Sequence, residues 1–117
     1  MSDTLRRLPS VELAGGLRIH EARTWRARAR GLVGARRLEP GTALRLSPCR
    51  SVHTFGMRFP IDLVWLDADG AVARLDHCVG ARRARGCRRA RSVLETPVGE
   101  GPAFAAALPA SGYTSRC

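Results

Sequence analysis

Lysine, asparagine and glutamine are absent from this chain of 117 residues, and isoleucine occurs only at Ile19 and Ile61. All 20 basic side chains are therefore arginine, and with so much Ala, Gly and Pro the composition carries the mark of a GC-rich genome. Codon bias accounts for arginine standing where lysine could. It does not account for 20 basic residues against 10 acidic ones, so the net charge of +10 is a physical property of the molecule. Aromatic residues are scarce as well: Trp25, Phe55, Phe59, Trp65, Phe104 and Tyr113 are the whole set. Several of these read as core, which argues against the aromatic-rich strand motifs on which single-stranded nucleic acid stacks. No apolar run approaches the roughly 20 residues of a membrane-spanning helix, and the opening stretch Met1–Ser10 holds none resembling a secretion signal. Cytoplasmic residence with reduced thiols is the expectation. The chain also lacks a glycine-rich phosphate loop closed by Lys-Ser/Thr, a Gly-x-Ser-x-Gly elbow, and helix-turn-helix or zinc-finger spacing. These gaps exclude the common nucleotide hydrolases, the serine hydrolases built on that elbow, and two familiar classes of DNA reader.

What is present fits one domain, 1–117, long enough to bury roughly 65% of the surface its unfolded form exposes. After the Gly15-Gly16 pair, Leu17-Arg-Ile-His-Glu-Ala alternates apolar and polar residues, and Val11 to Arg23 reads as a strand. Thr24 is placed to cap a short helix with Trp25, Ala29, Leu32 and Val33 on one stripe, ending near Gly34. Pro40-Gly41 predicts a turn and Ala43–Leu46 a strand. Ile61–Leu66 is the most apolar strand, with both faces covered, and Asp67-Ala-Asp-Gly70 is a hairpin turn into a return strand, Ala71–Leu75. Gly80 to Arg91 reads as a loop or strained edge, Ser92–Glu95 as a strand, Pro102–Leu108 as a short helix and Ala110–Cys117 as a frayed end. Short strands dominate, so the expected fold is mostly β, a compact sandwich or barrel with one or two short helices.

The chemistry gathers in one block, His53-Thr54-Phe55-Gly56-Met57-Arg58-Phe59-Pro60-Ile61-Asp62. A polar group set into an apolar strand costs about 1–3 kcal/mol unless it is partnered, so Asp62 needs a built environment. Two arrangements suit it. His53 and Asp62 can meet in a pocket, an imidazole and a carboxylate able to exchange protons; alternatively Asp62 is satisfied by Arg50, Arg58 or backbone N–H groups. No nucleophile or second carboxylate has a matching spacing, so no catalytic residue is assigned. Cys49, His53, His77, Cys78 and Cys87 offer metal-type ligands, but the adjacent His77-Cys78 pair suits a single ion poorly and no metal or other cofactor is expected. Cys49 and Cys87 could pair, although packed thiols are the ordinary state. Arg82, Arg83, Arg85, Arg88, Arg89 and Arg91 place six guanidinium groups within ten residues, and a second cluster spans Arg23 to Arg37. The planar fork of guanidinium suits phosphate and carboxylate, so an anionic partner is expected. Nucleic acid rests on charge alone at this point.

Arg30-Gly31-Leu32, the turn after Leu38, the block from His53 to Asp62, Asp69-Gly70 and Val93-Leu94-Glu95 together resemble the family called domain of unknown function 192, over about residues 28–95. The resemblance implies a β-sandwich or barrel of jelly-roll type and no particular activity. It implies that His53, Thr54, Met57, Pro60 and Asp62 line or brace a shared feature, to which the residues themselves add Arg58 and Phe59. Relatives continue after Glu95 through a Gly-Asp pair to a last strand. This chain has no such pair in its tail, 96–117, and the closing strand is expected to be lost, leaving an open sheet edge. The functional expectation is non-catalytic binding of an anionic small molecule or protein partner, with the pocket formed by the His53 to Asp62 block and the anion drawn by Arg82, Arg83, Arg85, Arg88 and Arg89. The alternatives are a polyanion-binding or nucleic-acid-binding accessory protein and a small hydrolase or lyase using His53 and Asp62.

Overall fold

Turn chemistry sets the strand boundaries. In the computed structural model, which describes residues 7–23, 32 and 37–108, Gly15 and Gly16 both take φ of +79°, a conformation that side chains resist. The pair therefore splits what reads as one strand into β1 (Ser10–Glu12) and β2 (Arg18–Ala22), with a 3-10 turn (Ala14–Gly16) between them. Gly41 takes φ of +79° in the expected turn, the Thr42 N–H donates to the Glu39 carbonyl at 3.1 Å, and β3 (Thr42–Leu46) starts there. β4 (Ser51–His53) precedes β5, which runs over Ile61–Leu66 as the sequence predicts. At the hairpin the Asp67 Oδ1 accepts the N–H groups of Asp69 and Ala71 at 2.8 and 3.0 Å, and Gly70 adopts φ of +82°. The return strand β6 (Val72–Val79) is longer than expected. The arginine-dense stretch contains a strand, β7 (Ala84–Gly86), and is followed by β8 (Ser92–Pro97) and the helix α1 (Gly101–Ala107), which has Pro102 in its first turn.

Six strands form one sheet in the order β1-β2-β3-β8-β5-β6, and β4 pairs with β7 in a separate two-stranded ribbon. Every adjacent pair in the sheet is antiparallel except β2 with β3, which run parallel from Arg18 opposite Thr42 to Ala22 opposite Leu46. A parallel pair requires a crossover connection; the helix expected over Thr24 to Gly34 falls in that connection and, Leu32 apart, lies outside the described residues, as does the end from Ala110 to Cys117.

Alternation then divides the core in two. Ile61, Leu63 and Trp65 face Ala22, Leu44, Leu46, Val79 and Val93, and Val52, Met57, Cys87 and Ala90 of the ribbon and its loops complete that cluster. Val64 and Leu66 face Ile19, Ala43 and Leu94 on the opposite side, where Phe104 of α1 is fully buried. Both faces of β5 are covered, as its composition predicts. After β8, which lies inside the sheet between β3 and β5, the described residues form no further strand; α1 packs over the second face, and β1 and β6 are the two edges of the sheet.

Candidate anion-binding ribbon and the buried carboxylates

Asp62 is fully buried on β5. Its Oδ1 accepts the Cys78 N–H at 2.9 Å, and its Oδ2 accepts the N–H groups of Gly99 and Gly101 at 3.0 Å each. The register explains the first contact: Ile61 lies opposite Val79 and Leu63 opposite Asp76, so His77 and Cys78 together face Asp62 in a bulge. Cys78 has φ of +50° there, which puts its N–H on the carboxylate. The His77 Nδ1 lies 3.4 Å from Oδ2. Gly101 must be small, because a Cβ on it would stand 2.7 Å from the Leu75 Cδ1 and 2.9 Å from the Asp62 Oδ2. Asp62 thus clamps β6 and the turn into α1 onto β5. Of the two arrangements open to it, backbone satisfaction is the one built, and the imidazole beside it is His77. His53 contributes no hydrogen bond or ion pair to it.

The ribbon is organised by Thr54, which is fully buried. Its Oγ1 donates to the Gly80 carbonyl at 2.6 Å and accepts the Arg83 N–H at 2.8 Å, while its own N–H donates to the Arg83 carbonyl at 2.9 Å. One threonine therefore fixes the loop that presents Arg82, whose φ is +59°. In the ribbon His53 lies opposite Ala84, Val52 opposite Arg85 and Ser51 opposite Gly86. Arg82, Arg83, Arg85, Arg88 and Arg89 are all exposed, and among the described residues none is paired with a carboxylate. The sequence explains the isolation, since no acid lies between Glu39 and Asp62 or between Asp76 and Glu95. Arg85 and Arg89 donate to the carbonyls of Ala84 and Ala73 at 2.9 and 3.3 Å; Arg82, Arg83 and Arg88 have no side-chain hydrogen bond among the described residues. On the ribbon face that His53 shares with Ala84, the rings of His53 and Phe55 sit 5.5 Å apart, tilted by 37°, and Phe55 is 53% exposed.

The predicted block therefore divides by role. Met57 is buried in the first core cluster and Phe59 packs half-buried against it; Pro60 and Arg58 are exposed. His53 and Phe55 face outward, Thr54 holds the loop and Asp62 clamps the sheet. Cys49 and Cys87 are not joined: the Cys87 thiol is free and buried, and the Cys49 Sγ donates to the Ser51 carbonyl at 3.1 Å. Among the described residues no three His, Cys, Asp or Glu side chains gather as a metal site would need, and no helix is long and apolar enough to cross a membrane.

Two features escape sequence reasoning. Glu95 on β8 is buried between Leu44 of β3 and Leu63 of β5, and its Oε1 has no hydrogen-bond partner among the described residues. Burial pushes its carboxyl up to about 7. A glutamate inside the apolar run Ser92-Val-Leu-Glu95 was the available signal. On the same face, across Leu44, His20 is buried and its pKa is lowered by desolvation, with the Leu8 backbone opposing and Arg18 assisting. His20 borders a cavity of about 460 Å³ that Arg18, Glu39 and Thr42 also line. That concavity lies at the start of β2 and β3, away from the predicted block.

A six-stranded, largely antiparallel sheet with one covering helix and a side ribbon defines a small mostly-β domain. The chain belongs to the DUF192 family, described as Uncharacterized ACR, whose model matches residues 11–105. Two solved structures share the fold. One, provisionally titled a transcription regulator, comes from Sinorhizobium meliloti and is 17% identical, with a TM-score of 0.67 over 81% of this chain and 82% of its own. The other, from Novosphingobium aromaticivorans and titled a protein of unknown function, is 14% identical, with a TM-score of 0.66 over 89% of this chain and 91% of its own. No curated protein matches the sequence.

Proposed function

We propose that this domain is a non-catalytic binding module whose β4–β7 ribbon takes an anionic ligand, whether a small molecule or the acidic surface of a protein. Arg82, Arg83, Arg85, Arg88 and Arg89 attract and hold the anion, His53 and Phe55 form the outward wall, and Thr54 keeps the loop in place. The exposed arginines, which have no carboxylate partner among the described residues, carry this reading. A guanidinium already paired with a carboxylate has little left to offer, whereas Arg82, Arg83 and Arg88 make no side-chain hydrogen bond among the described residues, and Arg85 and Arg89 each spend one donor on a backbone carbonyl, leaving the rest for an incoming carboxylate or phosphate. Acid–base chemistry by His53 with Asp62 is not adopted, because both Asp62 oxygens are taken by backbone N–H groups in the core.

The test uses inorganic polyphosphate as probe, with binding followed by calorimetry across a series of NaCl concentrations. Wild-type affinity should fall steeply with salt, and the Arg82→Glu/Arg83→Glu/Arg85→Glu variant should lose at least about tenfold, as reversing three phosphate contacts requires. Equal affinity of the two proteins at low salt would overturn the reading.

A further inference from the structure

Resting on the anion-binding reading, we propose that the ribbon's partner is single-stranded nucleic acid, one base stacking on the His53–Phe55 pair while Arg82 and Arg83, in the loop bonded to the residue between those rings, engage the flanking phosphates. The sequence alone offers only charge for such a partner. The structure adds an exposed aromatic pair on the same ribbon. Phe55 forgoes burial although Met57 and Phe59, two and four residues on, both pack on the core; a ring held outward beside another ring is what a base can stack against.

Two of the charges are tied to the chain at the point that carries the rings, whereas Arg85 lies opposite Val52 on the other face of the ribbon. The Thr54 N–H donates to the Arg83 carbonyl and the Arg83 N–H returns to the Thr54 Oγ1, so the residue before Phe55 is tied directly to the loop that carries Arg82 and Arg83. Arg82 is held with φ of +59° by those bonds, a conformation uncommon outside glycine that persists only where the surroundings enforce it. A free phosphate or an acidic protein surface is held by guanidinium and leaves the faces of the two rings unused. A duplex keeps its bases stacked on one another, and strands of three residues each are short for tracking a groove. A single strand uses both elements, because every base presents a π-face and every link a phosphate.

Fluorescence anisotropy with a labelled oligo(dT) strand, a duplex of equal length, and heparin as a third probe decides the matter on the full chain. The single strand should bind more tightly than the duplex. Phe55→Ala should weaken the single strand by about 5- to 150-fold, the range of one base–aromatic stack, and leave heparin unchanged; Phe55→Trp should restore binding. Because Phe55 is exposed, the alanine variant should keep the wild-type melting temperature, which checks that the loss is not unfolding. If all three probes bind alike and Phe55→Ala changes none of them, the stacking proposal is overturned while anion binding stands. If none binds to wild type at low salt, the single-strand proposal falls, and if polyphosphate fails as well the anion-binding reading falls with it.

Discussion

Asp62 and the arginines of the β4–β7 ribbon put charge to opposite uses. The Asp62 carboxylate is fully buried and accepts three backbone N–H groups, from Cys78, Gly99 and Gly101, while the five ribbon arginines are exposed and have no carboxylate partner among the described residues. A charge whose partners are internal secures the fold, since removing it strands the donors it satisfied. A charge left open on the surface contributes little to folding and remains available to something outside. Glu95 fits neither description. It is buried like Asp62 but has a carboxylate oxygen with no partner among the described residues, and its carboxyl is pushed up to about 7 by burial.

The largest effect expected is at Asp62. Asp62→Ala should lower unfolding stability by about 3–5 kcal/mol, the cost of leaving buried donors without their carboxylate, whereas Asp62→Asn should lose less because one carbonyl acceptor remains. Urea denaturation of the three proteins checks this, and a fully stable alanine variant would place the clamp elsewhere.

Glu95 comes next and carries a pH signature. Its folded pKa of about 7 stands above the ordinary 4.5, so the folded chain holds the proton more tightly than the unfolded one. The stability tied to that proton is fully present below about pH 4.5 and is lost as pH rises through about 7, a loss of about 3 kcal/mol by the linkage of proton binding to folding. Glu95→Gln, which cannot ionise, should gain about that much on wild type at pH 8 relative to pH 4. Denaturation at the two pH values gives the answer; parallel curves for both proteins would mean that the carboxylate is stabilised in the fold by a partner.

Thr54 links the two regimes, being a buried side chain whose bonds serve the exposed ribbon. Thr54→Val keeps the shape and removes the hydroxyl, so it should cost about 1–2 kcal/mol of stability and weaken polyphosphate binding by releasing the Arg82 loop. Loss of stability with unchanged binding would separate the loop from the arginine function.

Much of this was legible because it is local. Turns at Pro40-Gly41 and Asp67 to Gly70 follow from residues that accept or bond to positive φ, β5 follows from an unbroken apolar run, and α1 from Pro102 ahead of an alanine stretch. Asp62 was legible as a polar group needing a partner. Its actual partners were not, since Cys78, Gly99 and Gly101 are far along the chain and reach it through a bulge and a strand-to-helix turn that no periodicity announces. The parallel pairing of β2 with β3 was hidden for the same reason. Phe55 shows the reverse limit: an aromatic residue in an apolar block is expected inward, and only the loop tied by Thr54 turns it out.

The central claim is that the ribbon arginines serve a partner and not the fold. Its most direct test is a single comparison on Arg82→Ala/Arg83→Ala, measuring the urea midpoint and the slope of log affinity against log salt for oligo(dT). An unchanged midpoint with a slope shallower by about 1.4 units, as two lost phosphate contacts predict for a single strand, is the expected result. A midpoint that collapses, or a slope equal to that of wild type, would contradict the account.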